Sequence, residues 1–200
     1  MKKVYVVSWL LLLLSGVIML FWYNEWIFNL PTPVPKNYTA IETGTTIHLP
    51  GAETDTIAGK PVFLHFFNPD CPCSRFNIDH VRSLIKRYGN EVSFRLVLVS
   101  NKDYSTKEIQ DRFNITIPVI HDTTIAALCG VYSTPQAVII DNRHKLFYRG
   151  NYNRSRYCTD KKTNYAQVAL EALMKNSFHV AFDQLAVKAY GCQLPGCRKE

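Results

Sequence analysis

The 200-residue sequence has no basic run interleaved with aromatics, no internal repeat and no low-complexity block. The first absence argues against a nucleic-acid surface, which needs clustered Lys and Arg with stacking partners between them. The formal charge of +7 is scattered, as on an ordinary solvated surface. Charge is also missing from Val4 to Tyr23, an apolar stretch of about 20 residues and so long enough to cross a hydrocarbon core. Lys2 and Lys3 precede it and favour a cytoplasmic N-terminus, while Phe21, Trp22, Tyr23 and Trp26 suit an aromatic belt at the far interface. No small-x-small cleavage site follows, so the stretch reads as an uncleaved signal-anchor, a single transmembrane helix, rather than a signal peptide. The rest of the chain is then expected outside the cytoplasm, in the periplasm or another extracytoplasmic space.

What the sequence does have is sulfur. Six cysteines in an oxidising compartment can pair, and six allow on the order of 15 complete pairings that sequence alone cannot rank. A hydrophobic content of 47% over this length suffices for one domain plus an anchor. The expected division is an anchor over residues 1–30, a linker and N-terminal extension over 31–58, a main domain over 59–176 and a C-terminal extension over 177–200. Pro31-Thr-Pro-Val-Pro35 reads as a stiff spacer, and Ile41 to Ala58 as an irregular extension or short hairpin with Ile47 and Leu49 as strand residues.

The informative stretch is Gly59 to Tyr88. Pro61-Val-Phe-Leu-His-Phe-Phe67 reads as a buried strand, Asn68-Pro-Asp-Cys-Pro-Cys73 as a turn, and the following residues as a helix with Phe76, Val81, Leu84, Ile85 and Tyr88 on one face. This order puts sulfur at a helix N-terminus, where unpaired backbone N–H groups and the macrodipole favour a thiolate, the nucleophilic form. Beyond Gly89, Val92 to Val99 predicts a second strand. Ser105 with Glu108 predicts a capped helix, and Ile115 to Ile120 a short strand broken by Pro118. Asp122 is placed to cap a short helix, Thr123 to Cys129, ended by Gly130. Gln136 to Ile140 and Lys145 to Tyr148 predict a hairpin opened by Asp141-Asn142. A last clear helix starts at Thr163 with Tyr165, Val168, Ala169, Ala172 and Leu173 on one side, and an amphipathic stretch, Val180 to Tyr190, leads to the tail.

A βαβ unit joined to a ββα unit resembles the thioredoxin-like α/β fold, a central mixed sheet flanked by helices, and in particular the membrane-anchored redoxin branch of extracytoplasmic thiol–disulfide oxidoreductases. Three features carry the resemblance: Phe66-Phe-Asn-Pro-Asp-Cys-Pro-Cys73 after the strand; Ser133-Thr-Pro135 before the strand at Gln136, similar to a cis-proline loop; and the rhythm Pro118-Val-Ile-His-Asp122, Cys129-Gly-Val-Tyr132, Val138-Ile-Ile-Asp141, Phe147-Tyr-Arg-Gly150. It spans roughly Gly59 to Leu173. The resemblance implies thiol–disulfide exchange on protein thiols and disulfides, a redox partner and no cofactor.

The family's usual C-x-x-C is here C-x-C, Cys71-Pro72-Cys73, with Ser74 following. Cys71, where strand gives way to helix, is the expected attacking thiol, and Cys73 a resolving thiol or auxiliary ligand. Pro72 pushes Cys71 to extended geometry and suits a first helical position, which a Cys71–Cys73 bond would require. Otherwise Cys71 pairs with Cys129, Cys158 or a tail cysteine. His65, six residues before Cys71, is either a proton manager with a pKa near neutrality or a hydrogen-bonded core residue. Asp70 either caps the helix or raises the thiol pKa. A cis Thr134–Pro135 bond would present the backbone of Thr134 to an extended substrate chain. Cys192 and Cys197 are expected to bridge each other, with a mobile resolving pair as the alternative. Arg149, Arg154 and Arg156 are either solvated or turned to the site, where they would favour thiolate. Three other readings compete: a Cu(I) metallochaperone using the C-x-C pair with His80, His121 or His144; a thiol peroxidase, for which Pro69 is close by but the hydroxyl residue is absent from Asn68 to Asp70; and a redox-dead binding module on the same fold.

Overall fold

Lys2–Asn29 form helix α1. With no acidic or basic residue between Val4 and Tyr23, it is the one described helix long and apolar enough to cross a membrane, and its apolar side chains from Val4 to Trp26 are exposed. This computed structural model describes residues 2–50, 59–155, 157–177 and 181–194. The chain divides into two compact units, Met1–Leu30 and Pro31–Glu200.

In the second unit the buried run becomes strand β1, Val62–Phe67. Side chains alternate along a strand, so Phe63 and Phe67 enter one core layer and Leu64 and Phe66 the other. The turn after β1 leads into α2, Pro72–Tyr88, which buries Ile78, Val81, Leu84 and Tyr88. Phe76 departs from the expected face. It is 47% exposed and packs on Tyr157, ring centroids 5.0 Å apart. At 3.6 residues per turn it sits about 140° round the helix from Val81.

Strand β2, Ser93–Leu98, returns parallel to β1, and α3, Thr106–Phe113, opens on Ser105, whose side chain accepts a hydrogen bond from Glu108 N at 3.1 Å. Strand β3 is only Val119–Ile120, parallel to β2. Helix α4, Thr124–Leu128, follows the carboxylate of Asp122, which accepts from Thr124 N at 2.9 Å. Then come β4, Ser133–Thr134, and β5, Gln136–Ile140, the latter antiparallel to β1. Strand β6, Leu146–Gly150, pairs with β5 across a turn held by Asp141 Oδ1, which accepts from Arg143 N and Lys145 N. The five-stranded sheet has the order β3-β2-β1-β5-β6.

Helix α5, Tyr165–Met174, buries Tyr165, Ala169, Leu170 and Leu173 but leaves Val168 outside. Within the amphipathic stretch Val180 to Tyr190 the described residues form α6, Gln184–Val187; residues 178–180 lie outside the described residues. Strand β7, Cys192–Gln193, pairs with β4. Helices α2 and α5 pack in one core layer with Phe63 and Phe67. The other layer takes α4 and the N-terminal extension, where Ile47 and Leu49 are buried and Ile47 N donates to His144 O at 2.7 Å. Residues 51–58 of that extension lie outside the described residues.

Candidate functional site

The turn Asn68–Cys71 is closed by Cys71 N donating to Asn68 O at 3.1 Å and Asp70 N donating to Asn68 Oδ1 at 2.9 Å. Cys71 thus becomes the N-cap of α2, extended at φ −85° and ψ 120°, with Pro72 in the first turn. This is the geometry that proline imposes on its predecessor. Facing it is the loop of β4, where the Thr134–Pro135 peptide is cis. Cys71 Sγ lies 3.6 Å from Thr134 O. The site therefore joins the end of the central strand, a helix N-terminus and the proline loop at one edge.

Cys71 is 2% exposed and is bonded to Cys192, 121 residues later, with Cα atoms 6.0 Å apart. The expected Cys192–Cys197 bridge is thus corrected, and Cys197 lies outside the described residues. The tail reaches Cys71 because it adds a strand to β4. Ser133 pairs with Gln193 and Thr134 with Cys192, antiparallel. Gly191 enters this pairing at φ +119°, and a Cβ there would run into the Thr134 carbonyl, so only glycine fits. Cys73, in the first turn of α2, is fully buried and outside any disulfide. Side chains two apart on a helix diverge, which leaves Cys71 to face the proline loop.

The other expected residues fall as follows. His65 is fully buried on β1 and its Nδ1 shares a 2.8 Å hydrogen bond with the Tyr152 hydroxyl. Burial, and then the neighbouring His80, push its pKa down to about 3, so the expected near-neutral value is corrected; the hydrogen-bonded core alternative describes it. Its Nε2 has no hydrogen-bond partner. Asp70 does not cap α2, which has no side-chain cap. Its carboxylate turns outward and accepts from Tyr104 Oη at 2.9 Å and Lys102 Nζ at 3.1 Å. Desolvation raises its pKa, but those hydrogen bonds and the charges of Lys102 and Arg112 outweigh it and hold the carboxyl below its ordinary value.

Arg149 turns away from Cys71. Its guanidinium donates to Ile41 O at 2.8 Å and Cys129 O at 3.3 Å. Arg154 is exposed, and Arg156 lies outside the described residues. Cys129 is buried, and desolvation pushes its thiol up to about 12 despite the charge of Arg149. Cys158 is likewise pushed up to about 12 by burial, and its thiol donates to Asn77 Oδ1 at 2.8 Å. His80 packs edge-on against Tyr152, His121 Nε2 meets Thr106 Oγ1 at 3.0 Å, and His144 sits at φ +62° in the β5–β6 turn. Among the described residues, no three His, Cys, Asp or Glu side chains form a group that could hold a metal ion, so the C-x-C pair gains no third ligand.

Sequence reasoning leaves the pairing of Cys71 open and gives no role to Gly191, Thr32 or Tyr152. The one signal is the dipeptide Gly191-Cys192, a glycine directly before a cysteine.

The sheet order, the cysteine at the N-terminus of the helix after the central strand, and the cis-proline loop opposite define a thioredoxin-like fold. Residues 40–194 match the family described as a domain of unknown function, DUF6436, and the chain belongs to that family. Its fold is similar to that of a hypothetical protein from Sinorhizobium meliloti 1021, at TM-score 0.63 and 18% identity over 78% of this chain and 96% of that one. It is also similar to an uncharacterized conserved protein from Geobacillus kaustophilus, at TM-score 0.64 and 18% identity over 82% and 97% of the two chains. A thiol:disulfide interchange protein of the thioredoxin family from Chlorobium tepidum TLS aligns at TM-score 0.48 and 19% identity over 72% and 97%. No curated protein matches the sequence.

Proposed function

We propose that this chain is a membrane-anchored, extracytoplasmic thiol–disulfide oxidoreductase in which Cys71 attacks protein disulfides. The observation that carries this is the disulfide of Cys71 itself, formed at the N-cap of α2 and directly against the Thr134 carbonyl of the cis-proline loop. The helix N-terminus supplies unpaired N–H groups and a positive dipole end, which favour Cys71 as thiolate and as leaving group. Cys71 thiolate attacks a substrate disulfide and forms a mixed disulfide; a second thiol then attacks Cys71 and releases the reduced substrate. Cys192, already within bonding distance, is the resolving thiol in this reading, in place of Cys73. Pro72 sets the extended geometry of Cys71, and Thr134 with Pro135 offers the edge on which a substrate chain lies. His65 and Asp70 support the fold around the site and take no part in proton transfer.

Residues 1–30 act as the anchor, 31–58 as linker and extension, 59–176 as the redox domain and 177–200 as the extension that supplies Cys192. Lys2 and Lys3 keep the N-terminus in the cytoplasm and place the redox domain on the outer side. The partners are protein thiols and disulfides and a redox protein that resets Cys71. The test is disulfide exchange with insulin, followed alongside thiol counting. Cys71→Ser is expected to abolish exchange, and a variant that keeps the wild-type rate ends this reading.

A further inference from the structure

Strand β7 lies where an extended peptide bound to the proline loop would lie. Its pairing with Ser133 and Thr134 is antiparallel, and its cysteine is bonded to Cys71. The residue before that cysteine has to be glycine, since a Cβ would strike Thr134 O. The segment is also strapped from its other side. Thr32 N donates to Ala189 O at 2.9 Å, and the Thr32 and Ser133 hydroxyls share a 2.8 Å hydrogen bond. The Ser133 hydroxyl lies 3.2 Å from Tyr190 O and 3.3 Å from Cys192 O. Tyr190 Oη donates to Asn153 O at 2.5 Å. Besides the disulfide, residues 192–194 are held by a two-residue ladder, the Ser133 hydroxyl at Cys192 O, the buried Leu194 side chain and a 3.4 Å bond from Leu194 N to Tyr132 O.

We propose that Tyr190–Leu194 is a built-in stand-in for the peptide that this site binds, an inference that rests on the thiol–disulfide reading above. The oxidised chain keeps its own binding edge closed. Reduction of Cys71–Cys192 frees the edge, which then takes an extended segment of another protein, antiparallel on Ser133–Thr134, in which glycine precedes cysteine.

The opening step uses an external dithiol. One of its thiolates attacks Cys192 Sγ, on the more exposed residue of the pair. The Cys71–Cys192 bond breaks and its electron pair leaves on Cys71 Sγ, where the α2 N-terminus stabilises the thiolate. The second thiol of the dithiol loses its proton and closes on the first sulfur, expelling Cys192. Two electrons pass to the protein, the dithiol becomes a disulfide, and its two protons go to the protein thiols or to solvent. The released tail competes for the edge only through its tether, at an effective concentration of about millimolar. A substrate that forms a mixed disulfide with Cys71 displaces it.

The test uses the full chain in detergent micelles. Hydrogen exchange is followed at residues 190–194 in the oxidised protein, the dithiothreitol-reduced protein and Cys192→Ser. Binding is read by fluorescence anisotropy with a labelled peptide copying residues 189–194 and carrying Cys192→Ser, which cannot form a disulfide. Exchange at 190–194 is expected to accelerate on reduction and in Cys192→Ser. Both of those forms should bind the peptide at least about tenfold more tightly than the oxidised protein, whose edge is occupied. A peptide that also carries Gly191→Val should bind all three forms equally poorly. Slow exchange that survives both reduction and Cys192→Ser, or peptide binding indifferent to redox state, overturns the proposal and makes the tail a structural staple. If such a protein still exchanges insulin disulfides through Cys71, only the stand-in falls. If the peptide behaves as expected but Cys71 never exchanges, the oxidoreductase reading falls and the occupant of the edge stands.

Discussion

At the scale of single residues, burial decides which groups titrate. His65 is enclosed on the central strand, and its folded pKa of about 3 lies below the ordinary 6.5. Protonation therefore favours the unfolded chain. The stability that neutral His65 contributes is full above pH 6.5 and is lost progressively as pH falls toward about 3. His65→Gln, which can still bond the Tyr152 hydroxyl, should flatten the fall in urea midpoint between pH 6.5 and pH 4 relative to wild type, the endpoints chosen inside that window. It should not abolish the fall, because burial also lowers the pKa of His80. An unchanged slope contradicts this assignment. Burial acts in the opposite direction on sulfur. Cys129 and Cys158 are both pushed up to about 12. Iodoacetamide at neutral pH should therefore spare both in the folded protein and label both in urea, as read by peptide mass mapping. The sequence places His65 in a buried strand but leaves open whether it manages a proton or sits hydrogen-bonded in the core. His65 shows there as a polar residue in an apolar run, and its hydrogen-bond partner, Tyr152, is 87 residues away.

At the scale of elements, the local rules carry far. Pro61 to Phe67 reads as a buried strand, and Val62–Phe67 is one. Ser105 with Glu108 reads as a cap, and the Ser105 hydroxyl accepts from Glu108 N. That bond satisfies one of the orphan donors of α3, so Ser105→Ala should cost about 1 kcal/mol of stability. Urea denaturation of the two proteins checks it, and a change within error would leave the cap without weight. The expectations that fail are those needing a partner element. Spacing groups Phe76 with Val81 and Leu84, yet it faces Tyr157 and solvent. Asp70 reads as a cap because it precedes the helix, but Lys102 and Tyr104, brought beside it by the end of β2, draw its carboxylate outward. Val180 to Tyr190 reads as one amphipathic stretch, but among its described residues only Gln184–Val187 is helical, and beyond it Ala189 is held by Thr32 and Tyr190 by Asn153.

At the scale of the whole chain, α1 makes a prediction of its own, separate from the second unit. An apolar helix with exposed side chains and no charge between Val4 and Tyr23 should hold the protein in membranes through alkaline carbonate extraction. Deleting residues 4–23 should release it to the soluble fraction; persistence in the membrane would point to another attachment. The sequence by itself determined the apolar span, the order of strands and helices, and the placing of Cys71 at a helix N-terminus. Those follow from hydrophobic period, capping residues and proline, all of which act over a few neighbouring positions. Tertiary structure alone decided which of the other five sulfurs meets Cys71. That choice required β4 to accept β7 as a partner strand, Gly191 to let the backbones approach, and Pro31–Thr32 to close over Ala189 and Tyr190. A pairing across 121 residues depends on where two surfaces come to rest, and no short-range pattern encodes that.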